Sequence, residues 1–183
     1  MSIGLKDEEI KFCPRCGYRL KEKEIHGRKR KYCPSCGFVF FRDPKVGASV
    51  LVEHEGKILL VQRGIEPHKG KWCLPGGFVE FDESPEKAAI RECKEETNLD
   101  VKILSLLGIY PYLNDMRGPG ILIAYRVEIT GNINELKPGD DAIVAKFFSP
   151  EELPPTEKIA FRTNREIIDK WLKEKKEKKD EKG

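Results

Sequence analysis

The sequence has no long hydrophobic run and little charge imbalance, and both absences limit what the protein can be. No stretch of about 18 apolar residues is present, so we expect no membrane-spanning helix. Residues 1–9 lack the apolar core of a secretion signal, which favours a soluble, cytoplasmic protein. The formal net charge of +3 gives no overall field that would attract nucleic acid or a membrane.

Histidine is also scarce, and the three histidines are too far apart in the sequence to predict a histidine-based metal centre. His26, His54 and His68 are isolated from one another in the sequence, and we assign none of them a ligand role. The 183 residues are enough for one ordinary domain and a small accessory module. The length therefore allows two units, each with its own chemistry.

The stretch Leu74–Leu99 predicts a glycine-rich turn, an acidic loop and one helix. Ser84 is a good N-cap, and Pro85 suits the first helical position. Asn98 can adopt the left-handed conformation that often ends a helix. The sequence therefore predicts a helix that begins after Ser84 and ends before Asn98.

Three carboxylates crowd the last turn of this predicted helix. Glu92, Glu95 and Glu96 are spaced so that all three project from one helix face. Like charges one turn apart repel, and a helix C-terminus is itself partly negative, so each effect costs roughly 0.3 kcal/mol or more. A bound divalent cation reverses this penalty, because hard metals such as Mg²⁺ take carboxylate ligands. A solvated acidic face is the alternative interpretation.

The spacing of the whole stretch resembles the Nudix box, the signature of the Nudix hydrolases. The positions that match are Gly77, Glu83, Arg91, Glu92, Glu95, Glu96 and Leu99. Cys93 stands where the family usually has an aliphatic residue, and Asn98 replaces a glycine. Both departures are mild, because cysteine packs like a small hydrophobic residue and asparagine tolerates positive φ. The resemblance implies an enzyme that hydrolyses nucleoside diphosphate derivatives.

The resemblance also implies a role for each matched side chain. The ligands of the Mg²⁺ or Mn²⁺ ions would be the backbone carbonyl of Gly76 and the carboxylates of Glu92, Glu95 and Glu96. Arg91 would orient Glu92 by ion pairing, and Glu83 would support the site. The cations would neutralise the anionic pyrophosphate and lower the pKa of the attacking water. The remaining proton would go to a box glutamate or to an acid in a later loop.

Two segments near the N-terminus form an internal repeat. Residues 12–18 and 32–38 share the order aromatic, Cys, Pro, any residue, Cys, Gly, aromatic. The two CxxC pairs have the spacing of a zinc ribbon and comprise Cys13, Cys16, Cys33 and Cys36. We expect a structural Zn²⁺, because four thiolates leave no open coordination position. Disulfides are the alternative, but a cytoplasmic location disfavours them, and two matched pairs disfavour a redox role.

A basic segment separates the two cysteine pairs. Residues 19–31 hold seven basic and two acidic side chains, which suggests either a phosphate or RNA contact or an exposed hairpin tip. The aromatic residues flank the cysteines and do not interleave with these charges. The exposed hairpin is therefore the favoured interpretation, and a nucleic-acid partner is disfavoured but still open.

The order of predicted elements resembles the α/β/α sandwich of the Nudix fold, with a mixed sheet. We expect a zinc ribbon at residues 1–42, the Nudix domain at 43–172 and a charged flexible tail at 173–183. The predicted elements around the helix are strands at Val46–Val52, Lys57–Arg63, Val101–Tyr110, Gly120–Ile129 and Ala145–Phe148, a helical turn at Ser149–Leu153 and a terminal helix at Ile159–Lys175. Residues 58–61 are continuously apolar and predict a strand covered on both faces.

Candidate substrate contacts lie at one strand end and in two loops. Arg63 could reach a substrate phosphate, although a surface ion pair is an equal alternative. Tyr110, Tyr112 and Arg117 follow the box, where an aromatic ring could stack on adenine or flavin, but tyrosines there also commonly pack against their own sheet. Asp141 is the candidate proton acceptor in the later loop, where acids are usually only solvated.

A zinc ribbon joined to a Nudix domain resembles two groups of enzymes, the NADH pyrophosphatases and the ADP-ribose or FAD pyrophosphatase-like enzymes. The first group carries an SQPWPFPxS-type stretch, which residues 108–120 lack. The segments Glu152–Pro154 and Ile159–Phe161 resemble the second group. We therefore expect Mg²⁺-dependent cleavage of ADP-ribose or FAD that releases AMP. An NADH pyrophosphatase, an RNA 5′-end hydrolase and a non-catalytic nucleotide sensor are the alternatives, and a homodimer is one candidate assembly.

Overall fold

The computed structural model describes residues 10–113 and 118–180, with side chains up to residue 177. The chain forms two compact units, one of residues 1–45 and 113–119 and the other of residues 46–112 and 120–183. The strands are β1 (Lys21–Ile25), β2 (Arg28–Tyr32), β3 (Val39–Phe40), β4 (Lys45–His54), β5 (Lys57–Arg63), β6 (Trp72–Cys73), β7 (Gly76–Phe78), β8 (Val101–Tyr112), β9 (Gly120–Ile129) and β10 (Ala142–Phe148). The helices are α1 (Pro85–Thr97) and α2 (Arg162–Asp180), with short 3₁₀ turns at Ile133–Glu135 and Thr156–Lys158.

The first unit is built on a three-stranded sheet in the order β1-β2-β3. Strands β1 and β2 form an antiparallel hairpin in which Lys21 faces Tyr32 and Ile25 faces Arg28. Two tight turns carry the cysteine pairs, and each turn needs a glycine because φ is 70° at Gly17 and 73° at Gly37. The repeat in the sequence is therefore a repeat of local structure.

The second unit is an α/β sandwich around one large sheet. The sheet has the order β10-β5-β4-β9-β8, with β6 beside β5 and β7 beside β4. Alternate residues of β4 divide the core between the two faces of the sheet, because Val50 and Val52 pack in one cluster with α1 and Leu51 packs in another with α2. The predicted fold class is confirmed. Residues 58–61 are buried, as predicted for a strand covered on both faces.

Helix α2 packs through the apolar positions that its spacing predicts. Ile167, Ile168 and Trp171 are buried in the core on the α2 face of the sheet. The indole Nε1 of Trp171 donates a hydrogen bond of 2.9 Å to Glu53. The default expectation of core packing for Trp171 is confirmed.

Several predicted elements differ from the structure, and α2 begins at Arg162 and not at the predicted Ile159. The segment Ser149–Leu153 forms a hydrogen-bonded turn and not a helical turn, because the amide and hydroxyl of Ser149 both donate to the Glu152 carboxylate. Strand β10 begins at Ala142, three residues before the predicted start, because it continues its pairing with β5 up to Arg63. The 3₁₀ turn at Thr156–Lys158 was not predicted.

The terminal helix continues beyond Lys173, where the sequence predicts fraying. It reaches Asp180. Glu174 accepts a 2.5 Å ion pair from Arg126, and Lys175 pairs with Glu53. These ion pairs fasten the polar part of the helix to the sheet, which an apolar pattern alone does not reveal. Within the described residues, no helix is long and apolar enough to cross a membrane.

Candidate active site

Helix α1 is built from local signals that the sequence shows. The Ser84 hydroxyl accepts a 3.3 Å hydrogen bond from the Lys87 amide, and Pro85 is the first helical residue. Asn98 has φ 59° in the left-handed region, and its amide donates to the carbonyl of Lys94 at 2.8 Å. The predicted start and end of the helix are confirmed. These caps fix the last turn, which carries the three glutamates.

Arg91 ties the acidic side chains together. Its Nη2 and Nε contact the two oxygens of Glu83 at 2.6 and 3.1 Å, which is a bidentate pair. Its Nη1 donates to Glu92 at 2.8 Å and to Glu95 at 2.9 Å. Nη2 also donates to the Phe78 carbonyl at 3.1 Å. The ion pair predicted between Arg91 and Glu92 is present, and the hydrogen bonds from Arg91 lower the pKa of Glu83.

Glu96 is a buried carboxyl group whose hydrogen bond comes from a neutral backbone amide. Only 4% of the residue is exposed, and its Oε2 accepts a 2.9 Å hydrogen bond from the Gly76 amide. Burial raises the pKa of Glu96 to about 8, which the hydrogen bond from Gly76 opposes and the negative charge of Glu92 reinforces. Burial also raises the pKa of Glu92, against the opposing effect of Arg91. Both glutamates therefore carry a desolvation penalty that a cation can remove.

Two glycines of β7 give the glutamates their space. Gly76 has φ 153°, and a Cβ atom there would lie 2.3 Å from the Ala48 carbonyl oxygen. A Cβ atom on Gly77 would lie 2.3 Å from Oε1 of Glu92. A side chain at position 76 would therefore collide with the backbone of β4, and one at position 77 would force the Glu92 carboxylate to move.

The loop of residues 137–141 covers the C-terminal end of α1. The amide of Lys137 donates to the Thr97 carbonyl at 3.1 Å, and the amide of Gly139 donates to the Glu96 carbonyl at 3.2 Å. The loop carries two acids toward the glutamates, because Asp140 raises the pKa of Glu92 and Asp141 raises that of Glu96. The structure thus brings the predicted Asp141 to the site, and it adds Asp140.

Asp140 is the site neighbour that the predicted site omitted. The sequence shows only two adjacent acids in a loop, and which of them approaches Glu92 depends on the loop path. Asp140 itself has φ 48°, a conformation that aspartate adopts more readily than most residues. This local signal is visible only in the folded backbone.

The predicted substrate contacts are not all gathered at one place. The charge of Arg63 opposes the raised pKa values of Glu96 and Asp141, so Arg63 lies near both acids. Its Nε donates to the Pro67 carbonyl at 2.8 Å, and its guanidinium lies 5.2 Å from the centre of the Phe161 ring. Asp141 accepts a 2.6 Å hydrogen bond from the Gly64 amide through its backbone carbonyl.

Tyr110 and Tyr112 both lie on β8, so the strand continues two residues beyond its predicted end at Tyr110 and Tyr112 is not in the loop that follows. The pairing of β8 with β9 extends to Tyr112, which draws both residues into the sheet. Tyr110 packs against the core on the α2 face, where burial raises its pKa. Arg117 lies outside the described residues.

The four cysteines of the repeat converge. Sγ of Cys13 lies 3.6 Å from Sγ of Cys36, and Sγ of Cys16 lies 3.5 Å from Sγ of Cys33. All four sulfur atoms lie within 4.8 Å of one another, and none is in a disulfide. A tetrahedral ion with Zn–S bonds of about 2.3 Å needs sulfur atoms separated by roughly 3.8 Å, so the cluster is compatible with zinc.

Matched backbone hydrogen bonds shape the two cysteine turns. The amide of Cys13 donates to the Tyr18 carbonyl at 2.8 Å, and the amide of Cys33 donates to the Phe38 carbonyl at 2.7 Å. Burial raises the pKa of the Cys33 thiol, but backbone hydrogen bonds at Cys36 and Ser35 contribute to a net lowering to about 7. The second turn therefore favours the thiolate form of Cys33, whereas the pKa of the Cys16 thiol in the first turn is raised to about 12.

The glutamates at the end of α1 offer oxygen ligands suited to a hard cation, but their carboxylate oxygens lie farther apart than the sulfur atoms of the four cysteines. Across residues 10–113 and 118–177, only the cysteines form a group of three or more metal-binding side chains with all ligand atoms within 4.8 Å. Arg91 holds both Glu92 and Glu95, so a cation would compete with Arg91 for Glu95. Carboxylate and backbone oxygens are the donors that Mg²⁺ and Mn²⁺ prefer.

An acidic last turn beside a glycine strand, on an α/β/α sandwich, defines a class of proteins that bind divalent cations through one helix. The model of the NUDIX domain matches residues 42–171, and the chain belongs to the Nudix family. The matched range includes α1 and every site and loop position described above between Arg63 and Asp141.

Individual relatives agree with this assignment. The ADP-ribose pyrophosphatase of Methanocaldococcus jannaschii is 45% identical over 127 residues, which cover 69% of this chain and 72% of that protein. The crystal structure of a NUDIX hydrolase from Nitrosomonas europaea has a TM-score of 0.80 and 31% identity, covering 90% of this chain and 92% of that one. A bifunctional NMN adenylyltransferase/ADP ribose pyrophosphatase from Francisella tularensis, complexed with AMP and a Mn ion, has a TM-score of 0.64 and 29% identity over 73% of this chain and 42% of that one.

Proposed function

We propose that the protein hydrolyses the pyrophosphate bond of ADP-ribose, or of a similar nucleoside diphosphate derivative such as FAD, and releases AMP. The observation that carries the proposal is the buried carboxyl of Glu96 beside Glu92 at the end of α1. Both groups have raised pKa values because burial disfavours their charged forms. Such a pair is stable as two carboxylates only when a cation joins it, and a cation is what an anionic pyrophosphate requires.

The metal ligands in this proposal are the carboxylates of Glu92, Glu95 and Glu96 and the backbone carbonyl of Gly76. A bound Mg²⁺ or Mn²⁺ supplies charge neutralisation of the pyrophosphate and a lowered pKa of the attacking water. The Francisella relative contains Mn, which supports the choice of a hard divalent cation. Gly77 leaves the space that Glu92 needs.

Arg91 and Glu83 position the ligands. The guanidinium of Arg91 holds Glu92 and Glu95 through Nη1, and its own orientation is fixed by the bidentate pair with Glu83. The Phe78 carbonyl accepts a further hydrogen bond from Nη2. Every donor nitrogen of the fork therefore has an acceptor, which pre-organises the carboxylates before substrate arrives.

A carboxylate oxygen of Asp141 is the proposed acceptor for the proton of the attacking water. Burial raises the pKa of Asp141, and the charge of Asp140 adds to this effect while Arg63 opposes it. A raised pKa makes a carboxylate a better base near neutral pH. Arg63, whose charge opposes the raised pKa of Glu96, is the proposed contact for a substrate phosphate.

The substrate class rests on the relatives and on the sequence. The relative with 45% identity is an ADP-ribose pyrophosphatase, and residues 108–120 lack the NADH-type stretch. Tyr110, Tyr112 and Arg117 remain candidates for contact with the adenosine or flavin part. We also propose that the cysteine cluster binds one structural Zn²⁺ through Cys13, Cys16, Cys33 and Cys36.

The test is a substrate panel assayed with Mg²⁺, Mn²⁺ or neither. The panel contains ADP-ribose, FAD, NADH, a nucleoside triphosphate and NAD-capped RNA, and products are separated by ion-exchange chromatography. We expect the highest kcat/KM for ADP-ribose or FAD, with AMP as a product and no turnover without a divalent cation. Glu95→Gln should lose nearly all activity, whereas Glu86→Gln, at the opposite end of α1, should keep it.

Other outcomes would identify other functions. A clear preference for NADH or capped RNA would assign the protein to a different group of Nudix enzymes. Binding of ADP-ribose without turnover would make it a nucleotide sensor. Normal turnover by Glu95→Gln would show that the metal site is not at the end of α1.

A further inference from the structure

The antiparallel register of β1 and β2 sorts the charges of residues 21–32 onto two faces. Residues that face each other across the hairpin project to the same side of the sheet, and neighbours along a strand alternate sides. Glu22 faces Lys31 and Glu24 faces Lys29, so one side carries two matched acid–base pairs. This side is electrically balanced.

The opposite side carries cations and no acid within the three strands, all of which lie in the described part of the chain. Lys23 faces Arg30, and Arg28 lies opposite Ile25 on the same side. Lys21 occupies this side as well, opposite Tyr32. We call this side the basic face and define it by Lys21, Lys23, Arg28, Arg30, Tyr32 and Phe41.

Aromatic rings interleave with the cations of the basic face. The guanidinium of Arg30 lies 4.6 Å from the centre of the Phe41 ring, and the ammonium of Lys23 lies 5.9 Å from that of Tyr32. Phe41 is 48% exposed, so its ring is accessible to a planar partner. Along the sequence, Tyr32 stands beside Cys33 and Phe41 follows the second cysteine pair, but strand pairing brings both rings beside cations.

We propose that the basic face binds a single-stranded nucleic acid. A strand of nucleic acid offers two features that this face matches, a row of phosphates for the cations and a row of flat bases for the exposed rings. Cations two residues apart on a strand are separated by about 6.6–6.8 Å, and cross-strand neighbours by about 5 Å. The face is therefore a compact patch that can meet several phosphates of one strand together.

Single strands fit this face better than the other polyanions. A duplex hides the faces of its bases, so Phe41 would gain no stacking partner from it. An anionic membrane would attract the same cations, but it would not distinguish an aromatic ring from an aliphatic side chain of similar size. The contribution of the ring is therefore the feature that separates a nucleic acid from a lipid surface.

The experiment measures fluorescence anisotropy of labelled 12-nucleotide poly(U) RNA and poly(dT) DNA with the full chain between 50 and 300 mM salt. The test variants are Lys23→Gln/Arg28→Gln and Phe41→Leu. The matched control is Lys11→Gln/Lys29→Gln, which removes the same charge from exposed positions of the same unit but outside the basic face. Thermal unfolding and ADP-ribose hydrolysis of each variant report whether the fold is intact. Phosphatidylserine vesicles serve as the lipid probe.

We expect binding whose log K falls with log salt at a slope of up to about −2.8, since each neutralised phosphate of a single strand contributes about −0.7. Lys23→Gln/Arg28→Gln should reduce the slope by about 1.4. Phe41→Leu should weaken binding at least about fivefold with little change in slope, because base stacking is lost. The control should bind like the wild type, and a difference between RNA and DNA would identify which strand is preferred.

Three results would overturn the proposal. One is no binding of either oligonucleotide at 50 mM salt. Another is an equal loss in the control pair, which would show that total charge and not the basic face determines binding. The third is binding to vesicles but not to oligonucleotides, with Phe41→Leu indistinguishable from wild type, which would make the face a lipid contact.

Discussion

Gly77 lies directly against the carboxylate of Glu92, so that a Cβ atom on the glycine would come within 2.3 Å of Oε1. The carboxylate of Glu92 thus occupies the space that a side chain at position 77 would need. The position of Glu92 depends on that space as much as on its ion pair with Arg91. A glycine on β7 therefore determines the geometry of a proposed metal ligand on α1.

Replacing Gly77 by alanine should damage activity more than stability. The methyl group would displace Glu92, and a ligand shift of about 1 Å costs roughly 100-fold in rate. We expect kcat/KM for ADP-ribose to fall by about that factor. Gly131→Ala is the control, because its Cβ would meet the side chain of Asp100 at 3.1 Å and would not touch the glutamates. Equal activities of the two variants would contradict the role of Gly77.

Glu96→Gln should make the magnesium-free protein more stable at alkaline pH. The pKa of Glu96 is raised from 4.5 to about 8, so the folded state keeps a proton that the unfolded state releases between these values. The wild type therefore loses stability as pH rises from about 4.5 to 8, by on the order of 3–5 kcal/mol from this group. Glutamine has no proton to lose, so the variant should lack this loss.

Urea unfolding at pH 5 and pH 8, after dialysis into magnesium-free buffer, measures this difference. No chelator is used, because a chelator would also remove metal from the cysteine cluster. We expect the variant to be more stable than wild type at pH 8, with a smaller difference at pH 5. Added Mg²⁺ should stabilise the wild type at pH 8 and the variant much less. Parallel pH profiles of the two proteins would show that Glu96 ionises normally.

Arg91→Lys should lower activity although the positive charge is kept. A lysine ammonium cannot reproduce the fork that reaches Glu83, Glu92 and Glu95 together. Loss of a residue that orients metal ligands typically costs 10–100-fold, and we expect kcat/KM to fall by roughly that amount. The matched control is Arg126→Lys, in the ion-pair group with Glu174. Retained activity in Arg91→Lys would mean that charge alone suffices.

Cys33→Ser should remove zinc and disrupt the first unit. Freshly purified wild type should contain one equivalent of zinc by elemental analysis, and the variant should contain little, because a cluster with three thiolates binds the ion less tightly. Cys73→Ser, at a cysteine outside the cluster, should retain the metal. Wild-type protein without zinc would refute the assignment.

Sequence alone predicts α1 to the residue because its limits are set by neighbours in the chain. The hydroxyl of Ser84 and the left-handed backbone of Asn98 act within four residues of the positions that they cap. The cysteine turns are predictable for the same reason. Both features carry chemistry that depends on spacing, and spacing is what a sequence shows directly.

The features that sequence reasoning missed depend on pairing between distant segments. The extension of β8 to Tyr112 follows from its partner β9, and the early start of β10 follows from β5. The basic face depends on strand pairing, because the β1–β2 register gathers its cations and the pairing of β2 with β3 brings Phe41 beside Arg30. The continuation of α2 depends on Glu53, more than a hundred residues earlier. No local pattern contains this information.

The hydrogen bonds from Lys137 and Gly139 to the last carbonyls of α1 have a consequence for engineering. Residues 137–141 and the end of the helix form one structural unit. A change in loop length would remove the hydrogen bonds that cap the helix and would also move both aspartates. Exchange of this loop between relatives should therefore succeed only as an equal-length graft that keeps both capping amides. Substitutions outside residues 137–141 should therefore change substrate specificity with less damage to the site than insertions in this loop.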